Sequence, residues 1–174
     1  MVELIRPKIK LICVGDNYDV NAMSETAEVL GWELAVAGKM RKLGKIIHRK
    51  AKQVFTLEQI DTIPIDDYTA VVLMSHDFKT DLNALKVLLK KDIPYIGLLG
   101  PKKRMQKMQD ELDKAGFDIR LDEKDNIYGP VGLDIGAESP EEISLSIAAE
   151  IVAAFRKRHG GFLREREGSI HERI

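Results

Sequence analysis

A single cysteine, Cys13, stands in 174 residues, so no disulfide can form within the chain, and a reducing cytoplasm is the expected setting. A surplus of charge is missing as well. Twenty-seven Lys and Arg against 28 Asp and Glu leave a net charge of −1, which gives no field to draw the chain to nucleic acid or an acidic membrane. No apolar run approaches the length of a membrane span. The opening MVELIRPKIK carries Glu3 and Pro7 and lacks the apolar core of a signal peptide. The four histidines, His48, His76, His159 and His171, fall at no ligand-like spacing, so no metal site is expected. Internal repeats and low-complexity segments are absent.

What remains is ordinary globular composition, 44% hydrophobic and 32% charged, in a chain long enough to bury a full core. Strand signals alternate with helix signals. Lys8–Gly15, Trp32–Ala37, Gln53–Leu57, Tyr68–Ser75 and Ile93–Leu99 read as strands, and Tyr68–Ser75 is apolar almost throughout, as in a parallel sheet covered on both faces. Asn21–Leu30, a stripe of Leu82, Leu85, Leu88 and Leu89, Pro101–Ala115 with Gly116 as its stop, and Pro140 to about His159 read as helices. This order predicts a doubly wound α/β domain over 1–159, mostly parallel, with helices on both faces, followed by a polar C-terminal arm over 160–174. The arm is expected to lie on the surface or on a partner subunit. Ligands of such folds bind beyond the carboxyl ends of the strands, which directs attention to the strand-to-helix turns.

The first turn, Gly15-Asp16-Asn17-Tyr18-Asp19-Val20, stands where a dinucleotide fold carries GxGxxG. Only the first glycine is present. Asn17 replaces the second, Asp16 and Asp19 would crowd a diphosphate with negative charge, and no acidic residue follows the second strand to hold a ribose. An NAD(P) site is therefore disfavoured. The next turn, with Lys39, Arg41 and Lys42, reads either as a phosphate contact or as solvated surface.

After the long apolar strand comes Ser75-His76-Asp77. His76 beside a carboxylate is a candidate general base or hydrogen-bonding clamp, and Asp77 is equally suited to cap the following helix. The turn Gly97-Leu98-Leu99-Gly100-Pro101-Lys102-Lys103-Arg104 opens a helix whose first half is basic and second half acidic. The helix dipole favours the reverse, by roughly 0.3–1 kcal/mol per charge in a terminal turn, so a bound anion is the reading preferred over solvated side chains. Lys102, Lys103 and Arg104 would neutralise phosphate while Gly97 and Gly100 let the backbone approach. The loop Gly129-Pro130-Val131-Gly132-Leu133-Asp134-Ile135-Gly136 crowds three glycines and a proline before a helix that caps itself through Ser139, Pro140 and Glu142. Its glycines suggest close contact. Asp134 is its one polar handle, able to orient a ligand amide or hydroxyl or to tie down its own loop.

Tyr68–Asp77 (YTAVVLMSHD), Tyr95–Arg104 (YIGLLGPKKR), Gly129–Glu150 and the ending Gly168-Ser169-Ile170-His171 together resemble the Rossmann-type C-terminal domain of the XdhC/CoxI family. These are accessory factors of xanthine dehydrogenase and related molybdenum hydroxylases. The resemblance implies binding of molybdenum cofactor, protection of it during sulfuration, and delivery to the apo-hydroxylase. Full-length members carry a further N-terminal domain with a cysteine suited to cofactor or sulfur chemistry, whereas Cys13 lies mid-strand as a small hydrophobe. The expectation is thus a cytoplasmic accessory protein, more a binder than an enzyme, that holds a phosphate-bearing molybdopterin or nucleotide and forms a homodimer. The alternatives are an NAD(P)-binding oxidoreductase-like protein and a non-catalytic dimeric scaffold using the Gly129 loop and the arm for contact.

Overall fold

A computed structural model describes residues 7–168 of the protein. Among the described residues, six strands form one all-parallel sheet: β1 (Lys10–Val14), β2 (Glu33–Ala37), β3 (Gln53–Phe55), β4 (Thr69–Leu73), β5 (Tyr95–Leu98) and β6 (Ile127–Tyr128). Their order is β3-β2-β1-β4-β5-β6. The helices are α1 (Tyr18–Val29), α2 (Lys45–Lys50), α3 (Phe78–Leu88), α4 (Lys102–Lys114) and α5 (Pro140–Phe155). The doubly wound architecture read from the sequence is the one observed.

Strand alternation sorts the core into two layers. Leu11 and Cys13 of β1, with Ala70 and Val72 of β4, pack under Val20, Met23, Ile147 and Ile151 of α1 and α5. Ile12 and Val14, with Val71 and Leu73, face Leu82, Leu85, Met108 and Leu112 of α3 and α4. Burial on both faces is why β4 is apolar at every position after Thr69, and each such Leu or Val contributes roughly 1.5–3 kcal/mol of burial. Burial also pushes the Cys13 thiol up to about 12, consistent with the packing role expected of it.

Two helix boundaries differ clearly from the sequence reading. Helix α1 starts at Tyr18, because Asn17 accepts from the backbone N–H groups of Asp19 and Val20. Helix α5 stops at Phe155 rather than near His159, since Lys157 adopts φ 53° and cannot continue a right-handed helix. The two-residue β6 and the short α2 carry too little periodicity to be read beforehand. Beyond α5 the arm is described to residue 168, with a 3-10 turn at Leu163–Glu165. Ser169, Ile170 and His171 of the family-like ending lie outside the described residues. Among the described residues no helix is long and apolar enough to cross a membrane, and no group of three or more His, Cys, Asp or Glu could hold a metal ion.

Candidate switch-point site

Strand order reverses between β1 and β4, so the turns leaving these two strands flank the crevice where such sheets bind ligands. The turns are pressed together. Gly15, at φ 155°, has Met74 O only 2.9 Å from where a Cβ would stand, and at Gly38 that position lies 2.7 Å from Gly15 O. Backbone meets backbone here, and a side chain has no room.

Asn17 bridges the crevice. Its Nδ2 donates to Met74 O at 2.6 Å while its Oδ1 caps α1. The N–H groups that a dinucleotide's pyrophosphate would meet are therefore already engaged by the chain itself. Asp16 accepts from the backbone N–H of Lys39 at 3.1 Å, tying the β1 and β2 turns together.

Asp19, in the first turn of α1, is buried, and its Oδ2 lies 2.5 Å from Nε2 of His76. His76 takes φ 63°, a left-handed conformation that costs a non-glycine residue roughly 1–3 kcal/mol. That conformation turns the imidazole across the switch point onto Asp19 while leaving 60% of the side chain exposed. Of the residues singled out beforehand, His76 is the one that the structure leaves both anchored and open to a ligand.

Its neighbours serve the frame. Asp77 is the N-cap of α3, accepting from Thr80 N at 2.8 Å, and that backbone bond lowers its carboxyl below the usual range. The Ser75 hydroxyl donates to Asp77 O at 3.0 Å, and Ser75 N donates to Asp81 Oδ1 at 3.1 Å.

Arg104, expected on a ligand phosphate, turns inward instead. Its Nη2 donates to Oδ2 of Asp81 at 2.8 Å, and Asp81 is 1% exposed. A buried carboxylate requires a permanent cation, which guanidinium supplies. The stem of Arg104 lies over Gly100, whose Cβ would fall 2.5 Å from Arg104 Cδ, and its Cζ stands 5.7 Å from the centroid of Phe78. The close approach at Gly100 is thus to Arg104. At Gly97 it is to Val131, 2.5 Å from the would-be Cβ. Lys102 and Lys103 remain exposed on the first turn of α4, which has no side-chain cap.

The Gly129 loop divides in two. Its first half packs against the chain's own helices: a Cβ at Gly129 would meet Met105 Sδ at 2.7 Å, and one at Gly132 would meet Ser146 Oγ at 2.4 Å. Gly132 N donates to Glu150 Oε1, which also accepts from the Tyr95 hydroxyl at 2.6 Å. Desolvation, seconded by the Glu150 charge, raises the Tyr95 phenol. Asp134 and Gly136, in the second half, are exposed. Asn17, Asp81 and Glu150 are the organising residues that sequence reasoning did not assign. Only Asn17 left a signal, as an amide where a second glycine belongs.

A parallel sheet of this order, with glycine turns closing its switch point, defines a Rossmann-type domain. The chain belongs to the XdhC family: that family's Rossmann domain matches residues 11–151. It is 29% identical over 161 residues to a Bacillus subtilis (strain 168) protein named as a probable xanthine dehydrogenase subunit, covering 90% of this chain and 46% of that one. Identity is 26% over 168 residues with the uncharacterized protein YqeB of Escherichia coli (strain K12), covering 91% of this chain and 29% of that one. A crystal structure described as a xanthine dehydrogenase from Bacillus halodurans superposes with a TM-score of 0.74 at 30% identity, over 87% of this chain and 44% of that chain. The chain therefore spans less than half the length of these relatives.

Proposed function

We propose that this chain is an accessory protein of xanthine dehydrogenase-type molybdenum hydroxylases, and that its switch-point cleft holds a phosphate-bearing molybdopterin or nucleotide as cargo. The accessory reading rests on the family membership and on the names its relatives carry. The placement of the cargo rests on one observation, the left-handed His76 held open at the switch point by buried Asp19. A strained, half-exposed imidazole with an anchored far side suits a hydrogen bond to a phosphate or pterin oxygen. Lys39 stands on the adjoining β2 turn, where its backbone N–H donates to Asp16, and its charge adds to the Thr80 backbone bond in lowering the Asp77 carboxyl. Lys102 and Lys103 extend the basic rim on α4.

The role is binding and hand-over rather than bond-making. Arg104 is committed to Asp81, so phosphate recognition falls to His76 and the lysines. A nicotinamide dinucleotide is a poor fit, because Asn17 fills the α1 N-terminus and Asp16 and Asp19 crowd the place of its diphosphate.

Titration calorimetry with molybdopterin, a cytidine nucleotide and NADPH tests this. Molybdopterin or the cytidine nucleotide is expected to bind, and His76→Ala to weaken that binding on the order of 10-fold, the worth of one charge-assisted hydrogen bond. Tight binding of NADPH alone would overturn the reading. Equal affinity in wild type and His76→Ala would move the cargo away from the switch point.

A further inference from the structure

Charge is one-sided beside the crevice, where β2 ends. Between Glu33 and Glu58 there is no Asp or Glu, while seven Lys and Arg fall there, in a chain whose net charge is −1. Two of the seven are committed to the framework: Lys50 pairs with Glu25 and Glu28 of α1, and Lys52 with Glu33 at 3.0 Å. The turn leaving β2 carries three more, Lys39, Arg41 and Lys42, all exposed and, among the described residues, none in an ion pair. Its backbone is pinned. Gly38 N donates to Phe55 O at 3.1 Å, Lys39 N to Asp16 Oδ2 at 3.1 Å and Lys42 N to Lys39 O at 2.8 Å, and Leu43 is buried in the core layer that includes Met23 of α1. Three like charges in four residues repel one another, and no acid within the turn offsets them. Fold stability gains nothing from that arrangement, whereas a phosphate dianion held among the side chains makes it favourable.

We infer that the β2 turn is a second phosphate site, taking a phosphate on the ribose of a nucleotide whose other phosphate meets His76. In parallel sheets of this order the end of β2 lies beside a bound nucleotide's ribose: an acid there accepts from the 2′-hydroxyl, and an arginine there accommodates a 2′-phosphate. This chain lacks the acid and has the arginine. Arg41 offers a planar fork to two phosphate oxygens, and Lys42 adds a point charge. Met40, 44% exposed between Lys39 and Arg41, presents a polarisable apolar surface to the base carried by the same ribose. The ligand class is a nucleoside bisphosphate, phosphorylated at the 5′ position and again at 2′ or 3′. A nicotinamide dinucleotide phosphate remains a poor fit, because its diphosphate needs the α1 N-terminus that Asn17 fills. The inference rests on the crevice being a nucleotide site, as proposed above, and specifies which nucleotide it selects.

Calorimetric titration of the full chain with cytidine 5′-monophosphate, cytidine 2′,5′-bisphosphate and cytidine 3′,5′-bisphosphate tests it. One of the two bisphosphates is expected to bind about 10-fold or more tightly than the monophosphate. Arg41→Ala/Lys42→Ala, at exposed positions and so without effect on the core, should abolish that preference and leave monophosphate binding unchanged. Arg41→Lys should retain part of the preference. Lys45→Ala/Arg49→Ala removes the same charge from exposed positions on α2 and should leave the preference intact. Equal affinity for the monophosphate and both bisphosphates overturns the inference, and if that binding still depends on His76 the crevice reading stands without it. A preference that survives Arg41→Ala/Lys42→Ala overturns it by placing the second phosphate elsewhere. One that falls equally in Lys45→Ala/Arg49→Ala overturns it in favour of general attraction to a solvated basic face. Binding of none of the three overturns it together with the nucleotide form of the crevice reading.

Discussion

Two aspartates take up matching positions in this fold and lead opposite lives. Asp19 lies in the first turn of α1 and Asp81 in the first turn of α3, and each meets a basic side chain from a neighbouring strand-to-helix turn. Asp81 receives Arg104, and the pair is sealed, with 1% and 20% of the two side chains exposed. Asp19 receives His76, whose side chain remains 60% exposed. Arginine is permanently charged, which suits a closed structural clamp, whereas histidine donates or accepts and can change partners. The difference separates framework from working surface: the Asp81 pair holds α3 and α4 over the sheet, and the Asp19 pair presents an imidazole to the crevice.

The comparison breaks most visibly on stability. Arg104→Ala strands a buried carboxylate, and such losses cost about 3–5 kcal/mol, a fall in Tm on the order of 10 °C for a chain of this length. His76→Ala should move Tm by no more than a few degrees, because removing an imidazole that is itself 60% exposed opens Asp19 to water. Melting both variants by differential scanning calorimetry checks this, and similar losses in the two would erase the distinction. The double variant Asp81→Leu/Arg104→Met sharpens it. An apolar replacement of both partners should recover most of the stability lost in Arg104→Ala.

A smaller effect is expected at Gly100, which makes room for Arg104. Alanine there would meet Arg104 Cδ at 2.5 Å and must also adopt φ 128°, so Gly100→Ala should cost about 1–3 kcal/mol in chemical denaturation. In the Arg104→Ala background the steric part of that cost should vanish and only the backbone strain remain. Additive losses would place the clash elsewhere.

Smaller again is the change at His76 itself. His76→Gly relieves the left-handed backbone, worth roughly 1 kcal/mol, and loses one hydrogen bond of similar value. Stability should therefore stay within about 1 kcal/mol of wild type while cargo affinity falls as in His76→Ala. A strongly destabilised glycine variant would assign His76 to the framework after all.

Much of this was legible beforehand. β1, β4 and β5 announce themselves as apolar runs because both faces of the sheet are covered, and Ser139-Pro140-Glu142 carries its capping box in four consecutive residues. The crevice was locatable because strand order follows from alternation and right-handed crossovers. The roles within it were harder. Arg104 and a phosphate-binding arginine look alike in sequence, and what distinguishes them is a partner 23 residues away on another helix. His76 was legible as a candidate, but Asp19 lies 57 residues from it. Glycines mark close approach without saying to what: Gly97, Gly100 and Gly132 accommodate Val131, Arg104 and Ser146 of the same chain.

The smallest expected effect concerns the exposed cap beside His76, and it appears with pH. Backbone N–H donors hold the carboxyl of Asp77 below the usual range, and those of Glu138 and Ser139 do the same for Glu142. A lowered folded value means that the unfolded chain binds protons first as acid is added. The stabilisation is then fully present above the ordinary carboxylate range, near pH 4, and drains away as pH falls through the lowered folded values. Asp77→Asn/Glu142→Gln should accordingly show a shallower loss of Tm below about pH 4 than the wild type, with little difference at neutral pH. Asp77 lies one residue from His76, so the same titration reads whether the open pair depends on its cap: cargo affinity at neutral pH should survive Asp77→Asn, because asparagine also caps helices. Parallel acid slopes in the two proteins would mean that the caps do not set the acid limit.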